Sequence, residues 1–239
     1  RLMNQRYASS LADLHRLSGL PKPTVCRILA TLEHEGYVEH EGRNGIYRLA
    51  SKVHELSMGY NEESQLIDLA TPILSEATKR IKWPLALGTL EGASMTVRFS
   101  TMSQSPMAVQ STTLGKRHGL LRSAMGMAYL AFCSDRERDG LLSMAAREGD
   151  LGMDRERIEA KLKAVRARGY GLRFPEKAGD SATAALPIVH RGQVIAVIAL
   201  TTFGSLMNER FVEQYRAELD EIIADISRAL TRAHAGANA

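Results

Sequence analysis

Four polar side chains in one short run carry the most legible chemistry of this chain. Lys22, Thr24, Arg27 and Thr31 interleave with Val25, Ile28, Leu29 and Leu32, and the apolar set recurs at helical spacing. A helix of this kind buries the stripe of Val25, Ile28, Leu29 and Leu32 and turns the polar set elsewhere, where it can meet phosphates or base edges. Pro23 falls in the first turn, where its missing N–H costs nothing. Beyond this run, Gly42-Arg43-Asn44-Gly45 holds the Asn-Gly pair favoured in tight hairpins and puts Arg43 at a tip, suited to a phosphate or a minor groove. The candidate DNA-contacting residues are therefore Lys22, Pro23, Thr24, Arg27, Arg43 and Asn44.

A second kind of chemistry rests on Arg98, Arg122 and Arg173. Any of them at a pocket wall would bind a carboxylate through a bidentate fork. A solvated arginine is the competing reading for each, least so for Arg173. Catalytic chemistry lacks a signature. There is no Gly-x-Ser-x-Gly elbow, phosphate-binding loop, dinucleotide fingerprint or His-Glu-x-x-His helix. The seven histidines are scattered, and His34 with His40 lacks a third metal ligand. Cys133 lies on an apolar stretch and reads as a small core residue, while Cys26 reads as packed within its helix rather than redox-sensing. No catalytic residue, metal or cofactor is assigned.

Composition sets the frame for these groups. A chain of 239 residues with 44% hydrophobic content can bury a sizeable core and suits a small domain beside a larger one. The formal charge of +4 is mild, so the nucleic-acid reading rests on where the cations sit. Two cysteines make no disulfide framework and fit a reducing compartment. The longest apolar run, 194–200, is too short to cross a bilayer, and no signal-peptide pattern precedes the first helix, so a cytoplasmic protein is expected. The chain starts with Arg1, and 1–6 reads as the end of a helix, so an N-terminal piece is expected to be missing.

The elements that must position these groups follow from pattern. Ser9 or Ser10 caps a short helix with Leu11, Leu14 and Leu17 on one face, ended by Gly19. After Gly19-Leu20-Pro21 a second helix starts at Lys22, and two helices about a tight turn form a helix-turn-helix. Strand-like stretches at 37–40 and 46–49 flank the Asn-Gly turn and make the module winged. Residues 1–50 thus form a DNA-binding domain and 51–64 a linker, helical over 49–60 with a break at Gly59. A helix with Leu66, Leu69, Ile73, Ala77 and Ile81 covers 65–82, bent or reset at Pro72.

From Pro84 the period becomes two, giving a hairpin through Glu91-Gly92, with a further strand expected within 105–113. A flexible basic turn is expected over 115–119 and a buried helix over 123–132. Ser134 and Asp154 cap two more helices, the second ended by Gly169. Strands over 184–189 and 193–202 join through His190-Arg191-Gly192, and Asn208 caps one long C-terminal helix. The whole is α+β, with helices packed on an antiparallel sheet.

With these residues laid out, the chain resembles the IclR-type family of bacterial transcriptional regulators over nearly all of its length. The resemblance is carried by Leu11-Ala12-Asp13-Leu14, by 18–32, by Gly36-Tyr37-Val38 and by Tyr47-Arg48-Leu49. Further along it is carried by Gly126 with Leu130-Ala131-Phe132, by Arg168-Gly169-Tyr170, by 184–187, and by Gly192 with 194–200. It implies a winged helix-turn-helix joined by a linker helix to a GAF-like effector and oligomerisation domain at 65–235. Dimers, often tetramers, on palindromic operators are implied, as is an effector pocket between the sheet and the loop entering the helix with Gly126. Carried over position by position, that pocket takes in Ser111, Gly119, Met125, Gly126, Arg173, Thr183 and Thr201, with an extra residue near Gly179. An acidic residue common near the Arg173 position is here arginine and a polar one near Leu121 is leucine, and both changes suit an apolar acid. The branch resembled most is that controlling aromatic-acid catabolism, of the hydroxyphenylpropionate type.

The expected partners are double-stranded operator DNA, a small carboxylic acid and a second copy of the chain, with no membrane. Two other readings stand beside this one. A small-molecule-transforming enzyme with an appended helix-turn-helix would turn over candidate acids, and a constitutive DNA binder would not respond to them.

Overall fold

The computed structural model describes residues 2–5, 8–42, 45–54, 62–108, 112–147, 154–175 and 180–237. The chain divides into two compact units, Arg1–Glu62 and Glu63–Ala239.

In the first unit a two-residue strand β1 (Ser9–Ser10) leads into helix α1 (Leu11–Ser18). Ser10 caps it: its Oγ accepts the Asp13 N–H at 3.1 Å and donates to Asp13 Oδ2 at 2.8 Å. Gly19 ends the helix at φ +67°, a left-handed conformation that costs glycine no Cβ clash, and its N–H returns to the His15 carbonyl at 3.2 Å. The turn is pinned further by the His15 ring, whose Nδ1 lies 2.7 Å from the Leu20 carbonyl.

Helix α2 (Lys22–His34) follows, then strands β2 (Val38–Glu41) and β3 (Ile46–Leu49). The three strands form an antiparallel sheet in the order β1-β3-β2. Leu14, Val25, Leu29, Val38 and Tyr47 make the core, with Leu11 and Leu32 packed against it. One expectation fails here. Ile28 does not join the buried stripe; it is 45% exposed. Expected to be packed within the helix, Cys26 is also exposed.

Leu49 belongs to β3, and the helix expected over 49–60 is described only as a 3-10 turn at Ser51–His54; residues 55–61 lie outside the described residues. Helix α3 (Glu62–Ile81) begins earlier than the expected 65 and continues through Pro72.

The second unit is a six-stranded antiparallel sheet between two layers of helices. Its strands are β4 (Leu85–Glu91), β5 (Ser94–Ser100), β6 (Arg117–Gly119), β7 (Gly171–Arg173), β8 (Ser181–His190) and β9 (Gln193–Phe203), in the order β6-β5-β4-β9-β8-β7. Alternation along each strand sorts the side chains between two cores. Leu85, Leu87, Leu186, Ile198 and Leu200 face α3 and the C-terminal helices, while Ala86, Val97, Val197 and Ala199 face α4 (Ala124–Phe132), α5 (Asp135–Arg147) and α6 (Arg155–Arg168).

Three sequence expectations are corrected in this unit. The third strand is not within 105–113, as far as those residues are described; it is β6, inside the stretch expected to be a flexible turn. Strand β7 was not expected at all. The long C-terminal helix is two: α7 (Glu209–Gln214), capped by Asn208, and α8 (Arg216–Ala237), separated at Tyr215. Trp83 packs at that break: its Nε1–H donates to the Tyr215 hydroxyl at 3.1 Å and its ring meets Phe211 edge-on.

Candidate nucleic-acid interface and ligand cavity

The first unit presents α2 by its outer face. Lys22, Pro23, Thr24, Arg27 and Thr31 are exposed, and Thr24, Arg27, Ile28 and Thr31 surround a shallow depression. Burial of Val25 and Leu29 anchors the helix and leaves this outer face exposed. Arg43 and Asn44, the expected wing contacts, lie outside the described residues. Ile28 is the addition that sequence reading missed: an exposed apolar side chain among polar ones, of the kind that meets a thymine methyl. Its spacing from Val25 disguised it as a core position.

In the second unit a cavity of about 360 Å³ opens on the α4 face of the sheet. Gly119, Met125, Arg173, Thr183 and Thr201 all line it. Gly126 does not. It sits one position further along α4, where an added Cβ would come within 2.3 Å of the Leu120 carbonyl oxygen, so its role is to let the helix lie against the Leu120 backbone. Ser111 lies outside the described residues. The cavity wall also includes Arg117, His118, Arg122 and Ser123, and the described lining residues include no acid.

Each wall group is positioned by a specific element. Arg173 ends β7 opposite Thr183, and its guanidinium donates to the Ser181 carbonyl at 2.7 Å. Gly171 brings β7 close: a Cβ there would lie 2.2 Å from the Ala124 carbonyl oxygen. Helix α4 points its N-terminus at the cavity, capped by Ser123, which accepts the Gly126 N–H at 3.0 Å and donates to the Gly119 carbonyl at 2.8 Å. The far end of α4 is closed by two arginines. Arg138 donates to the carbonyls of Leu130 and Cys133, and Arg166 to that of Ala131 at 2.8 Å. Cation density at the C-terminus complements the helix dipole and leaves the partial positive end toward the cavity.

His118 is half-buried in β6; burial, then Arg173 and Lys116, push its imidazole below the usual histidine range. Cys133 is buried, and burial pushes its thiol up to about 11, which leaves it unreactive at neutral pH. Among the described residues no group of three or more His, Cys, Asp and Glu could hold a metal ion.

Arg98, the third candidate cation, does not line the cavity. Its Nε donates to Glu63 Oε1 at 2.6 Å and its Nη2 to Glu91 Oε2 at 3.0 Å. Glu91 in turn accepts Arg117 Nη2 on its carbonyl at 3.3 Å. A polar chain therefore runs from a cavity-wall residue to the second residue of α3.

A helix-turn-helix followed by a hairpin is the architecture of a DNA-binding module, and the same chain carries a sheet domain with a cavity. Family models place it further. That for the C-terminal domain of bacterial transcriptional regulators of the IclR type matches residues 58–232, and that for the IclR helix-turn-helix domain matches residues 1–42. The chain belongs to the IclR family of DNA-binding transcriptional regulators with an effector-binding domain.

Among its relatives, the HTH-type transcriptional regulator XynR of Escherichia coli is 27% identical over 225 residues, covering 92% of this chain and 88% of that protein. The fold is shared with the IclR of Thermotoga maritima, at 20% identity and TM-score 0.61, over 96% of this chain and 94% of that one. It is shared too with an IclR homologue of Microbacterium hydrocarbonoxydans complexed with 4-hydroxybenzoate, at 22% identity and TM-score 0.58, over 95% of this chain and 93% of that one. The named relatives are transcriptional regulators rather than enzymes.

Proposed function

We propose that this protein binds a palindromic operator as a dimer or tetramer in the cytoplasm and is switched by a small, aromatic carboxylic acid held in the cavity of its second domain. The observation that carries the effector reading is the cavity wall: Arg122 and Arg173 stand with His118 around it, with no described acid. Ala86, Val97, Met125 and Ala199 supply an apolar floor for a ring. Guanidinium groups and the N-terminus of α4 would take the carboxylate, and Thr183 and Thr201 offer hydroxyls to a ring substituent. The 4-hydroxybenzoate bound by the Microbacterium homologue is of this chemical class.

On the DNA side, Lys22, Thr24 and Arg27 would meet the major groove with Pro23 at the helix entry, and Arg43 and Asn44 would serve at the wing. Residues 51–64 would link the two domains, and a bound acid would shift the population of DNA-competent assemblies only to the extent that it binds their two states unequally. The test pairs two readouts. Benzoate and 4-hydroxybenzoate should raise the melting temperature, because a ligand that binds only the folded state stabilises it, and Arg173→Ala should abolish the rise. The same acids should change binding to an operator selected from genomic fragments. An unchanged melting shift in Arg173→Ala removes that residue from the site, and operator binding indifferent to every acid leaves a constitutive DNA binder.

A further inference from the structure

In the reading above His118 stands in the cavity wall without a part in holding the acid. His118 lies in the middle of β6, opposite Met95 of β5, half-buried and facing the cavity. Among the described residues nothing hydrogen-bonds its ring. Among the described residues, the charged groups that line the cavity with it or act on its ring are cations: Lys116 and Arg117 from its own segment, Arg117 being paired with the Glu91 carboxylate at 3.8 Å, Arg122 from the turn that follows β6, and Arg173 from β7.

We propose that His118 selects for acids by taking up a proton as a carboxylate enters, so that effector binding is proton-coupled. The inference rests on the reading that the cavity binds an acid. Without an anion beside it, partial burial and the positive neighbours disfavour the charged imidazole. A carboxylate placed against Arg173 offsets that field and gives the ring an anionic partner, so the same imidazole now favours its charged form. The proton comes from solvent, and the product is an imidazolium and carboxylate pair. A neutral analogue such as benzamide draws no proton and lacks this contribution.

The sign follows from linkage. The bound state holds more protons than the free state between the two imidazole pKa values, so affinity rises as pH falls through that window, by at most about tenfold per pH unit. No other group of the site imitates this slope. Benzoate, with a carboxyl pKa of about 4, stays ionised from pH 6 to 8, and guanidinium groups stay charged.

The experiment is calorimetric titration of the full chain with benzoate in phosphate and in Tris, whose ionisation heats differ, at several values from pH 6 to 8. Expected are a buffer-dependent heat reporting uptake of up to one proton and affinity at least about threefold tighter at pH 6 than at pH 8. In His118→Gln, which keeps a polar side chain of similar size, both the uptake and the slope should vanish. The wild-type measurement needs no variant, so a misfolded His118→Gln protein would not protect the proposal. Benzoate binding with equal heats in both buffers overturns it and leaves the cavity reading standing. Uptake that persists in a folded His118→Gln overturns His118 as the group. No benzoate binding at any pH overturns the cavity reading and this inference with it.

Discussion

Helices α2 and α4 do opposite things with similar lengths of chain. Of the 13 residues of α2 only Val25 and Leu29 are buried, and the remainder includes Ile28, 45% exposed, and an exposed Cys26. In α4, residues 124–131 are all buried, with sheet on one side and α5 and α6 on the other. A helix polar over most of its circumference needs an outside partner to use that surface. One apolar all round is held by its own domain and can offer only its end to a ligand. The difference teaches where change can be tolerated: α2 is built to lose side chains without unfolding, α4 is not.

Substitutions can break or sharpen that contrast. The largest effect is expected for Leu130→Ala in α4, about 4 kcal/mol of lost stability from a cavity in a close-packed core, read by chemical denaturation. Gly126→Ala should follow at about 3 kcal/mol, because its Cβ has no space beside Leu120. A wild-type denaturation curve for either would show that α4 packs more loosely than its geometry says. Next comes Arg27→Ala, expected to weaken operator binding by about 2 kcal/mol if it pairs with a guanine, with the melting curve unchanged. Ile28→Ala should cost less than about 0.5 kcal/mol of stability while reducing operator affinity, the reverse of what a core isoleucine would do. Smallest in energy is a chemical difference: a thiol reagent should modify one equivalent of cysteine rapidly in the native protein, Cys26, and reach Cys133 only on unfolding.

The same contrast explains what could be read in advance. Helix caps at Ser10, Ser134, Asp154 and Asn208, the Gly19 turn and the hairpin of β8 and β9 are local devices, in which residues a few positions apart satisfy each other's backbone groups. They were legible for that reason. Strands β6 and β7 were not, because three residues carry no period of two, and Arg117-His118-Gly119 looks like any exposed basic turn. Pairing with Thr96, Met95 and Ser94 makes it a strand.

By itself, then, the sequence determined the locally capped helices, the hairpin of β8 and β9 and the polar face of α2, since all three depend on short-range spacing and on which residues dislike water. Only the tertiary structure decided that Ile28 belongs to the outer face, that Arg98 is tied to Glu63 and Glu91 rather than lining the cavity, and that Arg173, Thr183 and Thr201 line it together. Those outcomes depend on which strands sit side by side. Residues 118 and 173 meet across one cavity because β6 and β7, the two edges of the sheet, both come round to the N-terminus of α4.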